Sequence, residues 1–350
     1  MRQEAARILA EGTVIPAMPL VIRPDRTLDS AGQRRLIRYY LAAGAGGLAV
    51  GVHTTQFEIR QEGIGLFEPV LALAADEIQR HEQRTGQAIV RVAGACGPTD
   101  QAVREADLAR HLGYDAVLLS PGGLAGLSEA ELLERTRAVA ARMPVIGFYL
   151  QPAVGGRVFS FAYWQQLCAI GNVVAIKAAP FDRYLTLDVL RAAALSERAG
   201  QIALYTGNDD HILLDLLTEH RFEQDGRVYT ARFTGGLLGH WAVWTHQAVA
   251  LFRQLKAELK ADSVKTDWLT LASQVTDCNS AVFDTANRFA GCITGIHEVL
   301  RRQGLMDGIW TLEPGAGLSP GQGAALDRIQ RQYPHLNDDA FVRDFLARER

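Results

Sequence analysis

Lys177 is the residue in this sequence whose type and placement most directly suggest chemistry. It stands near the end of VVAIKAAPF (Val173–Phe181), a run that otherwise reads as a buried strand. Lysine is among the side chains least often buried, because desolvating an ammonium is costly. The chain has 36 basic residues, and only four are lysine (Lys177, Lys256, Lys260 and Lys265), leaving 32 arginines. Where positive charge alone is needed, arginine is used; arginine stays protonated and cannot serve as an amine nucleophile. In apolar surroundings the ammonium form of a lysine is disfavoured, and the free amine can attack a ketone to form an iminium. The alternative is a lysine that snorkels from a strand end.

Tyr149 closes the preceding apolar run, PVIGFY. A tyrosine hydroxyl beside such a lysine can shuttle protons during imine formation and carbon–carbon cleavage; alone, it would read as a wall aromatic with a satisfied hydroxyl. GVHTTQFE offers the Thr54 and Thr55 hydroxyls and backbone N–H groups, able to hold a carboxylate or relay a proton to Tyr149. His53 adds a titrating group, although these three are also ordinary turn residues. In QPAVGGR, a glycine pair (Gly155, Gly156) lets backbone approach a ligand and Arg157 matches a carboxylate; a loop with a solvated arginine is the competing reading. TGNDDH (Asn208, Asp209, Asp210, His211) reads as an acidic N-cap opening the next helix rather than a metal site. His240 and His246 lack zinc-type spacing.

Short strands must position these groups. From Gly12 to about Gly236, apolar runs (GTVIPAM, GGLAVG, AIVRVA, DAVLLS, PVIGFY, VVAIK, IALYT and the weaker VYTARFTGG) alternate with amphipathic helical stretches. Cap-type residues open two of those helices: Asp29-Ser30 in LDSAG, and Ser128 with Glu131 in LSEAE. The strand runs are apolar almost throughout, as parallel strands covered on both faces should be. Eight strand–helix units predict a (β/α)8 TIM barrel over residues 1–239; an open doubly wound sheet is disfavoured because no glycine-rich dinucleotide fingerprint follows the first strand. Residues 240–350 read as a helical C-terminal extension, packed on the barrel or on a neighbouring subunit. Two stretches there read as long helices, HWAVWTHQAVALFRQLKAELKA and DCNSAVFDTANRFAGCITGIHEVLRRQG.

With 350 residues, 48% of them hydrophobic, the chain can bury a large core. A net charge of −3 and no dense basic run argue against a nucleic-acid partner. No apolar run is long enough for a membrane span, MRQEAARILAEG lacks the pattern of a secretory leader, and Cys96, Cys168, Cys278 and Cys292 form no CxxC pair. A cytoplasmic protein with free thiols is the expectation.

The combination of VVAIK, the FY that ends the fifth run, the paired threonines after the second, PLVIRPDRTLD near the start and TGNDD after the seventh resembles the dihydrodipicolinate synthase / N-acetylneuraminate lyase superfamily. The resemblance covers roughly Gly12 to Gly239. It implies a (β/α)8 barrel, commonly a dimer or tetramer, that forms a lysine Schiff base with pyruvate or another 2-oxo acid and needs no metal or organic cofactor. Carried over, Lys177 is the Schiff-base lysine and Tyr149 the proton shuttle. His53, Thr54, Thr55, Gly156, Arg157 and Gly207 are the expected substrate-binding residues, with Arg157 a substitute, in a different register, for the family arginine that Val154 replaces. The family's G-T-T-G-E loop matches either His53-Thr54 or Thr54-Thr55. Three departures stand out: Gly122-Gly123 where synthases carry tyrosines, Val154 where they carry a carboxylate-binding arginine, and the long C-terminal extension. They favour an aldolase or dehydratase acting on a sugar-derived or aromatic 2-oxo acid. A condensing synthase of the 4-hydroxy-tetrahydrodipicolinate type is the alternative within enzymes, and a 2-oxo acid-binding sensor or scaffold the alternative outside them.

Overall fold

The computed structural model describes residues 1–349. Ten strands succeed one another among them: β1 (Val14–Pro16), β2 (Gly47–Val50), β3 (Val90–Ala95), β4 (Ala116–Leu119), β5 (Val145–Leu150), β6 (Val173–Ala179), β7 (Ala203–Thr206), β8 (His220–Gln224), β9 (Arg227–Ala231) and β10 (Gly235–Leu238). Eight of them, in the order β1-β10-β7-β6-β5-β4-β3-β2, form the sheet of a (β/α)8 TIM barrel, with β8 and β9 apart as a hairpin. Every residue of β3, β4, β5 and β7 is buried, which accounts for their largely apolar character, Arg91 of β3 being the charged exception.

The chain divides into two compact units, residues 1–13 with 90–237 and residues 14–89 with 238–350. In the first, β3 to β7 and β10 pair in parallel, each strand beside the one from the neighbouring βα repeat. Three of its helices start as capping chemistry dictates. Ser128 and Glu131 form a reciprocal capping box, Ser160 accepts from the Tyr163 N–H, and Asp182 accepts from the Leu185 N–H. The second unit holds β1 and β2, bridged in parallel at Ala17 and Ala49, together with the helices that follow Leu238. There Asp29 caps helix Ser30–Ala42, from which Tyr40 donates to the Ala242 carbonyl (2.9 Å) and Tyr39 to Asp338 (2.6 Å).

Two elements differ from expectation. The eighth barrel strand is GGLL, because VYTA is diverted into the β8–β9 hairpin. Its turn is Asp225-Gly226, both at positive φ (52° and 71°), the Asp-Gly pairing that suits a tight hairpin turn. The stretch from Asp277 to Gly304 is two helices rather than one: Asp267–Val282 ends, and Cys292–Arg302 begins after a break. In that break the Asp284 carboxylate accepts from Asn287 Nδ2 (2.7 Å) and from the Gly291 N–H (2.9 Å), a local alternative to helical hydrogen bonding. Among the described residues no helix is long and apolar enough to cross a membrane.

Candidate active site

Lys177 lies on β6 with only 8% of its surface exposed. In parallel register it stands between Phe148 of β5 and Tyr205 of β7, so the three side chains share one face of the sheet. Its Nζ sits over the Phe148 ring, 4.6 Å from the centroid. Tyr205 on the other side reaches away, its hydroxyl donating to the Leu9 carbonyl (2.9 Å). Burial pulls the Lys177 amine down from 10.5 to about 8, opposed by the negative charge of Asp209.

The loop after β7 is shaped around this side chain. A Cβ on Gly207 would lie 2.4 Å from Lys177 Cε and 2.7 Å from Ala179 Cβ, so only glycine lets the backbone run along the lysine stem. Two residues on, Asp209 is 5% exposed, and its N–H turns back to the Gly207 carbonyl (3.1 Å). Asn208 between them is fully buried. Its side-chain Oδ1 accepts from the Phe181 N–H (3.1 Å) and its Nδ2 donates to Asp215 (2.9 Å), which also accepts from Thr206 (2.6 Å) and Arg183 (2.7 Å). Buried, multiply bonded groups of this kind fix a loop rather than decorate it. The expectation that TGNDDH supplies an acidic N-cap is corrected. The N-cap of helix Ile212–Leu217 is His211, without a side-chain cap, and the aspartate at 209 is buried.

Tyr149 does not join Lys177. It pairs with Ala178, one step along from the Phe148–Lys177 pair, and so points to the opposite face of the sheet. Its ring packs against Trp164 (4.9 Å) and Phe159 (5.7 Å), its hydroxyl accepts from the Phe159 N–H (3.3 Å), and it is fully buried. The residue that β5 presents to the amine is Phe148. Two adjacent strand ends do meet at one mouth, but the register, not the strand end, decides which side chain faces in.

The QPAVGGR loop is folded on its own strand. A Cβ on Gly156 would lie 2.0 Å from the Leu150 carbonyl oxygen, so this glycine serves a tight return of the chain. The Arg157 guanidinium donates to the Leu127 carbonyl and lies 5.5 Å from the Phe159 ring centroid, tying this loop to the one after β4.

In the other unit, His53–Thr55 form a single 3₁₀ turn after β2. Thr55 is wholly buried, its hydroxyl donating to the Met18 carbonyl (2.7 Å) and accepting from the Gly51 N–H (3.0 Å). Thr54 is 5% exposed, and the His53 ring lies 5.9 Å from that of Phe57. Gln56, at φ 68°, is held by its side-chain Oε1 accepting from the Leu312 N–H (2.7 Å). Thus a residue of the C-terminal region anchors the threonine turn, a tie that no local sequence pattern announces.

A parallel eight-stranded barrel with one amine buried on its sixth strand defines the class: a TIM barrel built around a single lysine. A sequence model of the dihydrodipicolinate synthetase family matches residues 10–218, and the chain belongs to that family. Among curated relatives, N-acetylneuraminate lyase of Citrobacter koseri is 24% identical over 272 residues, 77% of this chain and 80% of that protein. The 4-hydroxy-tetrahydrodipicolinate synthase of Bifidobacterium longum is 28% identical over 212 residues, 59% of this chain and 63% of that one. Among solved structures, a prophage protein of the dihydrodipicolinic acid synthase family from E. coli K12, in complex with pyruvate, superposes with a TM-score of 0.74 at 18% identity, covering 92% of this chain and 98% of that one.

Proposed function

We propose that this protein is a lyase that joins Lys177 to a 2-oxo acid as a Schiff base and cleaves or dehydrates the adduct. The observation that carries the reading is Lys177 itself, a buried amine lowered to about 8 on the sixth strand of a barrel of this family. The free amine attacks the ketone carbon, and loss of water gives the iminium. The iminium then accepts the electron pair released at the adjacent carbon, and water finally releases the product. No metal is needed, because the protonated imine nitrogen supplies the electron sink. Gly207 keeps the lysine stem extended. His53, Thr54 and Thr55 are proposed to hold the substrate carboxylate, with Thr54 the better candidate because the Thr55 hydroxyl is already bonded on both sides. Gly156 and Arg157 are proposed to shape the mouth from the loop after β5. Of the relatives' names, N-acetylneuraminate lyase agrees with this reading and 4-hydroxy-tetrahydrodipicolinate synthase with the condensing alternative, and the structural neighbour was solved in complex with pyruvate.

Borohydride reduction in the presence of pyruvate and a panel of 2-oxo acids, followed by peptide mapping, tests this reading. A reduced adduct on Lys177 is expected, and Lys177→Arg should abolish both adduct and turnover. Turnover surviving in that variant would sink the mechanism. The proposed assembly is a homo-oligomer, dimer or tetramer, which sedimentation velocity would decide.

A further inference from the structure

The hairpin β8–β9 stands outside the barrel sheet, in the first unit. The family match ends at residue 218, just before the hairpin begins at His220, so this element lies beyond what the family model covers. Its register pairs Gln224 with Arg227 at the turn, then Glu223 with Val228, Phe222 with Tyr229, Arg221 with Thr230 and His220 with Ala231. Opposed pairs in an antiparallel ladder exchange backbone hydrogen bonds alternately, and the pair flanking a two-residue turn is a bonded one. Gln224, Phe222 and His220 therefore bond to β9, and Arg221 and Glu223 turn their N–H and C=O groups outward along the other edge of β8. Among the described residues no third strand joins that edge, and no backbone bond from elsewhere reaches it.

An open edge of this kind is a template for another strand. Arg221 and Glu223 are both exposed on it, opposite in sign and two residues apart. Antiparallel pairing about a two-fold axis at Phe222 sets Arg221 against Glu223 of the partner subunit, and Glu223 against Arg221 of the partner subunit. These are also the positions whose outward backbone groups meet, so charge and hydrogen bonding select the same register. Glu223 has no ion-pair partner among the described residues, and Arg221 makes only an exposed contact to Glu219 (2.9 Å), a kind worth little. Phe222 falls on the axis, on the opposite face, where the Arg191 guanidinium lies 5.5 Å from its ring centroid. The outer edge of β9 presents Val228 and Thr230, which carry no charge to set a register.

We propose that the free edge of β8 is a self-association surface, on which two copies of this chain pair antiparallel about Phe222 and join their hairpins into one sheet. This stands apart from the reading of Lys177, and it supplies one contact of the proposed homo-oligomer.

The test compares the full-length parent, Arg221→Glu and Glu223→Arg by sedimentation equilibrium from micromolar to submillimolar loading. In either single variant both attractive pairs of the two-fold contact become repulsive, so association should weaken by about tenfold or more. Mixed in equal amounts, the two variants present only opposite charges to each other and should associate at the parental strength. The chain carrying both exchanges restores the pairs within one sequence and should do the same; it decides the question if a single variant melts early in a thermal scan. Failure of the mixture and of the double exchange to associate would overturn the proposal. Single variants that associate as the parent does would overturn it as well, with the homo-oligomer held by other contacts. A parent that stays monomeric would overturn both the contact and the oligomer, while borohydride trapping on Lys177 reports separately on the lyase reading.

Discussion

An amine at about 8 is free in roughly one molecule in ten at neutral pH, whereas at 10.5 the fraction is below one in a thousand. Burial thus raises the nucleophile population on the order of a hundredfold before any other group acts. The sign follows: trapping of a 2-oxo acid should rise with pH through about 8 and level off above it. A profile still climbing toward 10 would show an unperturbed lysine. Tyr149→Phe separates the sequence expectation from the structure. Removing the hydroxyl that accepts from Phe159 should lower stability by about 1 kcal/mol and leave trapping unchanged. Urea titration and borohydride trapping on the same preparation check both halves. Lys177 was legible in the sequence because scarcity of lysine made it conspicuous. Tyr149 misled because composition shows which residues end a strand but not which face each takes; a single step of register moves a side chain to the other side. Asp209 was visible only as one of two acids in a loop, and its burial has no local sequence signature.

At the scale of elements, the loop after β7 is the part that must be right. Gly207→Ala would place a methyl 2.4 Å from Lys177 Cε. The flexible lysine gives way before the backbone does, so the amine is displaced. Trapping is expected to fall by about 10²-fold, as for other ångström-scale misplacements of a reacting group, and the melting temperature to fall as well, because Ala179 Cβ, 2.7 Å from the new methyl, cannot swing aside. Trapping kinetics and a thermal scan distinguish this from unfolding. Strand and helix positions were largely readable, because parallel strands here are apolar almost throughout and the caps at Asp29 and Ser128 are local. The misreadings came where side chains compete locally with the backbone. Asp225-Gly226 folds VYTA into a hairpin, and Asp284 breaks what reads as one helix.

On the scale of the whole molecule, long-range ties replace local signals. Asp338, near the C-terminus, accepts from Tyr39 (2.6 Å), Gln303 (2.8 Å) and the His246 N–H (3.0 Å), while burial raises its carboxyl above the usual range. Asp338→Ala strands three donors and should cost about 3 kcal/mol, read by urea unfolding, with Lys177 trapping in the folded fraction intact. Neither this cluster nor the Leu312–Gln56 bond has a sequence signature, since partners some 256 or 299 residues apart share no pattern. Each compact unit is likewise assembled from two separated stretches, 1–13 with 90–237 and 14–89 with 238–350. During translation, β1, β2 and the helix bearing Tyr39 and Tyr40 emerge early, yet Ala242, Thr245 and Asp338, which receive or cover those tyrosines, are made some two hundred residues or more later. At elongation rates on the order of ten residues per second, residues 14–89 wait tens of seconds for their partners. Through that interval Tyr39 and Tyr40 lack the partners that receive their hydroxyls in the finished fold.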